Sequence, residues 1–312
     1  MGKLAVLFAG QGAQYTGMGK ELYESSQGAK QVFLQAEEMM PGIMDLCFAA
    51  SKEELSQTLI TQPTVFTVSA AAYHGFMELG CSVDAMSGFS LGEYAALYAS
   101  GVLDFKTAFQ LVVRRAQLMQ QCAEQQKGGM VAVLGVRDDQ KLERLIQEAR
   151  QTGILEAVNF NCPGQTVVAG DEQALERLMQ IARENKIRAV PLPVNGAFHS
   201  KMMEPAAKEL AVYLQNISFE EPNCTVYANV TGLPYQMEDM KRVLCAQTMS
   251  AVHFKQIVAH MIAQGIDTFV EVGPGSTLSG FVKRIDKTKN IFHVEDKASL
   301  ALTQEGLRAQ QR

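Results

Sequence analysis

Long apolar runs, surplus positive charge and patterned cysteine are all missing from this chain, and each absence removes a class of function. No apolar stretch approaches the roughly 18 residues that a helix needs to cross a bilayer, so no membrane role is expected. The N-terminal LAVLFAG is at the short limit for a signal-peptide core, and it passes directly into GQGAQYTGMG without a persuasive cleavage site. Val6 stands where a myristoylation signal requires Ser or Thr. Lys and Arg number 28 against 33 Asp and Glu, a formal net charge of −5. A protein that coats nucleic acid needs the opposite, a basic field that displaces counterions, so no nucleic-acid partner is expected. The six cysteines (Cys47, Cys81, Cys122, Cys162, Cys224, Cys245) include no CxxC pair and have no companion histidines at zinc-ligand spacing. They read as reduced thiols of a cytoplasmic protein that holds no metal.

What the sequence does contain is material for a core: 47% of its 312 residues are hydrophobic. Its first part alternates short apolar runs with helical patterns, namely LAVLFAG, a helix from about Gly17 to Met40, SKEELSQTLI and a helix through TVFTVSAAAYHGFMELG. Strands alternating with helices imply a largely parallel sheet. In SKEEL, Ser51 with Glu54 three residues on is a capping-box signature.

The middle reads as GGMVAVLGV strand, DDQKLERLIQEARQTG helix, ILEAVNFNCPGQTVVAG two strands around a Pro-Gly turn, DEQALERLMQIARENK helix and IRAVPLPV strand. That order is the ferredoxin-like split β-α-β-β-α-β unit. Residues 128–194 are therefore expected to form a small inserted subdomain, with 1–127 and 195–312 making up a discontinuous large domain.

The stretch GFSLGEYAALYASG, residues 88–101, sets Ser90 between Gly88 and Gly92. The pentapeptide alone is equally compatible with an ordinary tight turn. Its context is a short apolar run before it and an alanine-rich helical pattern after it, the strand-to-helix corner on which a nucleophilic serine is exposed. A serine hydroxyl needs a base, and the chain has five histidines. His74 and His260 fall in helical patterns and His293 in a late irregular segment. His199, in PVNGAFHSKMM, follows the last strand of the inserted unit and is favoured over His253. For an oxyanion, the backbone N–H of Leu91 and one from about Gln11 in GQGAQ are the candidate donors. The same loop could be a plain or phosphate-binding turn, but it lacks the full GxGxxG and the acidic residue of a dinucleotide site.

In DFKTAFQLVVRRAQLMQQCAEQQ, helical spacing aligns Arg114 with Gln110, Gln117 and Gln121, and Arg115 with Leu111, Leu118, Met119 and Cys122. A guanidinium on an apolar face calls for an anion. Either an internal Asp or Glu or a substrate carboxylate could supply it.

Seven segments in order, LFAGQGAQYTGMGKEL, TQPTVFTVSAAAY, GFSLGEYAALYASGVLDF, RRAQLMQ, VNFNCPGQTVVAG, PVNGAFHSKMM and FVEVGPGSTLSGFVKR, resemble the malonyl-CoA:acyl-carrier-protein transacylase family over nearly the whole chain. The resemblance implies an α/β fold, a hydrolase-like parallel-sheet large domain with an inserted ferredoxin-like small subdomain. It implies malonyl transfer from malonyl-CoA to acyl carrier protein in fatty-acid synthesis, with no cofactor and the chain acting as a monomer. Ser90 would carry the acyl group, His199 would be base and then acid, Arg115 would bind the malonyl carboxylate, and the Gln11 and Leu91 amides would form the oxyanion hole. The carbonyl that orients the histidine would belong to Gln247, and GAFHS resembles the form associated with malonyl groups. CoA and carrier protein are anionic, which makes Lys201, Lys283 and Arg284 candidates for a basic rim. Alternatives with the same residues are a trans-acting malonyl acyltransferase of a polyketide synthase and a serine esterase or thioesterase. The chain departs from the family's usual pattern at Phe89, where His is common, and at Ala251 and Phe254, where Pro and Trp are common.

Overall fold

The computed structural model describes residues 2–150 and 153–310. Among them nine strands occur: β1 (Lys3–Phe8), β2 (Ala85–Gly88), β3 (Gly128–Leu134), β4 (Leu155–Cys162), β5 (Gln165–Asp171), β6 (Arg188–Pro191), β7 (Thr225–Val226), β8 (Ile266–Val272) and β9 (Asn290–Val294). Five form a parallel sheet in the order β7-β2-β1-β8-β9. The other four form a separate antiparallel sheet in the order β4-β5-β3-β6. The fold is the expected α/β arrangement.

Strand β1 lies at the centre of the parallel sheet, and five of its six residues are buried. That is why KLAVLF reads as a continuous apolar run and shows no alternation. The register sets Phe8 beside Gly88 on one side and beside Val272 on the other, so β1, β2 and β8 end together. Loops leaving the carboxyl ends of parallel strands converge on a crevice, and the loops here are GQGAQ, the Ser90 turn and GPGS. In the antiparallel sheet, helices Asp139–Arg150 and Glu172–Glu184 cover one face, with Leu142, Ile146, Leu178 and Ile181 packed on Val131, Val133, Leu155 and Val168. Asp171 caps the second helix through the Ala174 amide.

The antiparallel sheet is tied by backbone to a segment outside both sheets. Val252 donates to Val158 O at 2.8 Å and Phe160 donates to Val252 O at 2.9 Å. This bridge holds β4 against the segment that follows helix Met240–Gln247.

One expectation needs correcting. The helix anticipated from about Gly17 to Met40 is two helices, Lys20–Ser25 and Gln27–Met39. Ser26 between them is extended (φ −120°, ψ 129°), and its hydroxyl accepts from Ala29 N as the cap of the second helix. A serine that caps mid-pattern leaves the apolar periodicity intact while turning the axis. The capping box at Ser51 and Glu54 is present, on the short helix Lys52–Leu55.

The corner after β2 brings three backbone segments into contact. A Cβ at Gly88 would lie 1.8 Å from the Gly92 carbonyl carbon, and one at Gly92 would lie 2.1 Å from Phe8 O. No side chain can yield there, because backbone is the obstacle. Gly88→Ala is expected to destabilise the protein by about 3 kcal/mol or more, read from the midpoint of urea unfolding. A wild-type midpoint would show that the corner is not held this tightly.

Candidate active site

Ser90 is one of three non-glycine residues with positive φ among those described, at 52°. A residue so strained is held there by its surroundings. Asn229 supplies much of the hold: its Oδ1 accepts from Ser90 N at 2.7 Å and its Nδ2 donates to Gly88 O at 2.7 Å. Helix Gly92–Ala99 begins directly after the serine, and the amides of Gly92, Glu93 and Tyr94 bond back to Phe89, Ser90 and Leu91 carbonyls. The amides of Leu91 and Gln11 have no partner among the described residues. They remain available to an oxyanion near the positive end of a helix.

His199 also has positive φ, 66°, and is 4% exposed. Its own amide donates to Thr248 O at 3.0 Å, and the next residue turns the chain back by donating Ser200 Oγ to Ala197 O. The ring then lies between two partners, with Nε2 2.7 Å from Ser90 Oγ and Nδ1 2.7 Å from Gln247 O. A carbonyl can only accept, so Nδ1 carries the hydrogen and Nε2 is left as the acceptor for the serine proton. Burial, and after it the charge of Arg115, pull the imidazole down to about 4. The imidazole is neutral throughout the physiological range.

Arg115 is 1% exposed and belongs to helix Phe105–Gln125, whose start Asp104 caps. Arg114 points outward, 3.8 Å from Glu209. Nitrogen Nη1 of Arg115 donates to Gln62 Oε1 at 2.8 Å, and Nη2 donates to Ser90 Oγ and Gln247 Oε1, each at 3.0 Å. The guanidinium lies 5.1 Å from the Tyr94 ring centre. Nε–H has no partner, and no ion pair involves Arg115 among the described residues. The internal salt bridge that could have explained a buried arginine is thus not made. In its place stands a relay in which Gln247 Nε2 donates to Glu93 Oε2 at 2.6 Å and to Ser90 O at 2.6 Å.

Glu93 is fully buried and also accepts from Asn229 N at 3.0 Å and Tyr235 Oη at 2.5 Å, both on Oε1. Burial raises its carboxyl to about 7 against the opposing pull of these donors and of Arg115. Gln62, Glu93, Asn229 and Tyr235 were not singled out from the sequence. Glu93 lies inside the GFSLGEY stretch and Gln62 inside TQPTVF, and a charged or amide residue set in so apolar a run was the available signal.

The His253 ring makes no hydrogen bond to Ser90, and its amide donates to Asn229 O at 2.9 Å. The ring stacks on Phe160 at 5.1 Å with the rings 7° from parallel, next to the bridge between β4 and Val252. Of the basic residues considered for a rim, Lys201 is exposed two residues after His199, and its amide donates to Glu156. Lys283 is exposed on helix Thr277–Ile285. Arg284 instead bonds Gln165 Oε1 at 2.7 Å, joining that helix to β5. Phe89 and Phe254, two of the three departures from the usual pattern, touch each other at 5.7 Å, and both pack on Phe281. Half-buried Phe89 thus has an aromatic environment that a histidine would not need.

The acyl transferase domain family matches residues 6–309. The malonyl CoA-acyl carrier protein transacylase of Bacillus subtilis is 37% identical over 306 residues, covering 97% of this chain and 96% of that one. The chain belongs to the malonyl-CoA:acyl-carrier-protein transacylase family. The Escherichia coli K12 transacylase is 35% identical over 96% of this chain and 98% of its own. Among solved structures, the transacylase of Clostridium perfringens superposes with a TM-score of 0.95 at 40% identity, covering 99% and 98% of the two chains. A structure described as a type II PKS acyl-carrier protein in complex with its malonyl-transacylase gives 0.93 at 36% identity, covering 97% and 99%.

For this transacylase-family chain the lowered imidazole carries a pH expectation. The neutral form, the one able to take a proton at Nε2, is lost only as pH falls through about 4. For phosphonylation of Ser90 by an uncharged organophosphorus ester, the ratio of the wild-type rate to that of His199→Ala should therefore hold from pH 7 down to about 5 and decline below that. His199→Ala should slow labelling by about 10²–10⁴-fold. A midpoint near the ordinary imidazole value of about 6.5 would contradict the buried, Arg115-facing environment.

Proposed function

We propose that this protein transfers the malonyl group of malonyl-CoA to the phosphopantetheine thiol of an acyl carrier protein, through a malonyl ester on Ser90. The observation that carries the reading is the placement of an unpaired, buried Arg115 guanidinium 3.0 Å from the oxygen that His199 activates. A nucleophile with a fixed positive charge beside it suits an acyl group that ends in a carboxylate. The names borne by relatives along the full length of the chain point the same way.

In this mechanism His199 Nε2 takes the Ser90 proton as Oγ attacks the thioester carbon. The oxyanion is received by the Leu91 and Gln11 amides, and collapse expels the CoA thiolate, which takes the proton back from Nε2. The Nδ1–H···O=C bond to Gln247 keeps the ring in position while it is charged. The carrier thiol then attacks the ester by the reverse sequence, giving ping-pong kinetics. Serine and histidine supply both nucleophile and proton relay, so the reaction needs no cofactor. All these residues come from one chain, which we take to act as a monomer in the cytoplasm. No described helix is long and apolar enough to cross a membrane.

We take residues 128–194 as the small subdomain walling one side of the cleft, with 1–127 and 195–312 as the large domain. Lys201 and Lys283 are offered as the basic rim for CoA or carrier protein. Arg284 belongs to it only if its bond to Gln165 yields. Fatty-acid synthesis is the proposed setting. Similarity to the malonyl-transacylase of a type II PKS carrier-protein complex keeps a polyketide carrier as the second reading.

Incubation with labelled malonyl-CoA, with and without holo carrier protein, tests the reaction: label should pass to the carrier, and free malonate as the main product would mark a thioesterase. Removing one member of a buried charge pair costs about 2–5 kcal/mol, so Arg115→Ala should cut malonyl transfer by roughly 30- to several thousand-fold. Acetyl transfer should fall far less, since acetyl has no carboxylate to strand. Equal loss of both with a lower melting temperature would make Arg115 structural.

A further inference from the structure

We propose that Glu93 is a positioning residue that sets the malonyl preference, by fixing the Gln247 side-chain amide so that its oxygen faces Arg115 and holds the guanidinium beside Ser90. The inference rests on the reading of Arg115 as the carboxylate receptor. Glu93 itself touches neither Ser90 Oγ nor His199, and no role had been attached to it from the sequence.

The geometry is a chain of donors and acceptors with one self-consistent direction. Gln247 Nε2 faces two acceptors, Ser90 O and Glu93 Oε2, and Gln247 Oε1 faces the Arg115 Nη2 donor. Turning the amide over would set oxygen against oxygen on one side and N–H against N–H on the other. Glu93 is what makes the first arrangement decisive, because a carboxylate can only accept. Its other oxygen is filled by the Asn229 amide and the Tyr235 hydroxyl. Both oxygens therefore receive donors when the carboxyl is ionised, and a proton on Oε2 would meet the Gln247 N–H. The same residue ties together the Asn229 clamp on the Ser90 corner, the Gln247 carbonyl under His199 and the guanidinium.

Glu93 also supplies the negative charge that Arg115 lacks at first contact, one amide away. A substrate carboxylate reaching Arg115 meets a guanidinium already oriented by neutral oxygens, with no counter-ion to displace.

A positioning role of this kind has a pH signature. The titratable and charged groups around Glu93 are Arg115 from helix Phe105–Gln125, Tyr94 from its own helix, Cys245 from helix Met240–Gln247, and Tyr235 with Asp239 behind it. Asp239 pairs with Arg242. Burial pushes Tyr94, Tyr235 and Cys245 up, so they stay neutral between pH 6 and 8. His199, bonded to the Gln247 carbonyl, is already deprotonated there. Burial brings Glu93 to about 7, inside that window. Protonation removes the charge that draws the Gln247 N–H and, when the proton is on Oε2, sets a donor against it, and so loosens Gln247 and Arg115 as pH falls. Dividing malonyl by acetyl rates cancels the contributions of His199 and CoA, which both substrates share.

The test is the ratio of kcat/KM for malonyl-CoA to that for acetyl-CoA, with one holo carrier protein as acceptor, in the wild type, Glu93→Gln and Arg115→Ala between pH 6 and 8. The wild-type ratio should fall as pH drops through about 7. Glu93→Gln keeps the shape but sets its NH₂ against the Gln247 Nε2 donor or, turned over, against the Asn229 N–H donor. It should lower the ratio at pH 8 by about ten-fold or more and make it independent of pH. If Arg115→Ala collapses the ratio while Glu93→Gln keeps the wild-type value, or loses both activities equally, Glu93 does not set the preference. If Arg115→Ala itself leaves the ratio intact, the carboxylate reading of Arg115 fails first. Should Glu93→Gln not fold, the wild-type titration decides, and a flat ratio from pH 6 to 8 overturns the proposal.

Discussion

A guanidinium enclosed by protein and given no ion partner is the constraint around which this site is built. Charge transferred from water to a buried position is unfavourable unless hydrogen bonds and nearby charge offset the loss of hydration. Arg115 receives that offset from Gln62, Gln247 and Ser90 oxygens, from the Tyr94 ring and, one amide removed, from Glu93. Partial compensation of this sort stabilises the arginine enough to keep it folded inside while leaving it able to take a stronger acceptor. The contact to Ser90 Oγ would also favour a developing alkoxide, so the group proposed to receive the substrate would assist the proposed nucleophile.

The rest of the fold serves to bring four segments to that point. Parallel strands β1 and β2 end in register, which puts the GQGAQ amides beside the Ser90 corner. The glycines at 88 and 92 allow the corner to close against β1. His199 arrives from the segment after β6, and its position is set by bonds to Thr248 and Gln247 at the end of helix Met240–Gln247. The bridge from β4 to Val252 holds that end of the helix segment against the small sheet. Movement of the small sheet would therefore reach the base through five residues of chain.

Much of this was legible in the sequence, for identifiable reasons. The strand-to-helix corner at Ser90 carries its own glycine pattern, and the split β-α-β-β-α-β unit announces itself through Asp starts, amphipathic helices and a Pro-Gly turn. Helical spacing was enough to separate Arg115 from Arg114, because one helix face is apolar and the other is not. The supporting shell was not legible. Gln62 sits in helix Thr58–Met77, which is buried almost all round and so has no face to read. Asn229 and Tyr235 lie in irregular chain without periodicity, and their partners are more than 130 residues away in sequence. The break at Ser26 was missed because a cap inside an apolar pattern does not interrupt it. Phe89 and Phe254 registered as separate departures, and only the structure pairs them.

The most direct test of the central claim is a crystal structure of the enzyme arrested as its malonyl-Ser90 ester. The malonyl carboxylate is expected to be hydrogen-bonded to the Arg115 guanidinium, with Gln62 and Gln247 still in place and the ester oxygen at the Leu91 and Gln11 amides. A carboxylate directed to solvent, with Arg115 held by protein oxygens alone, would contradict it.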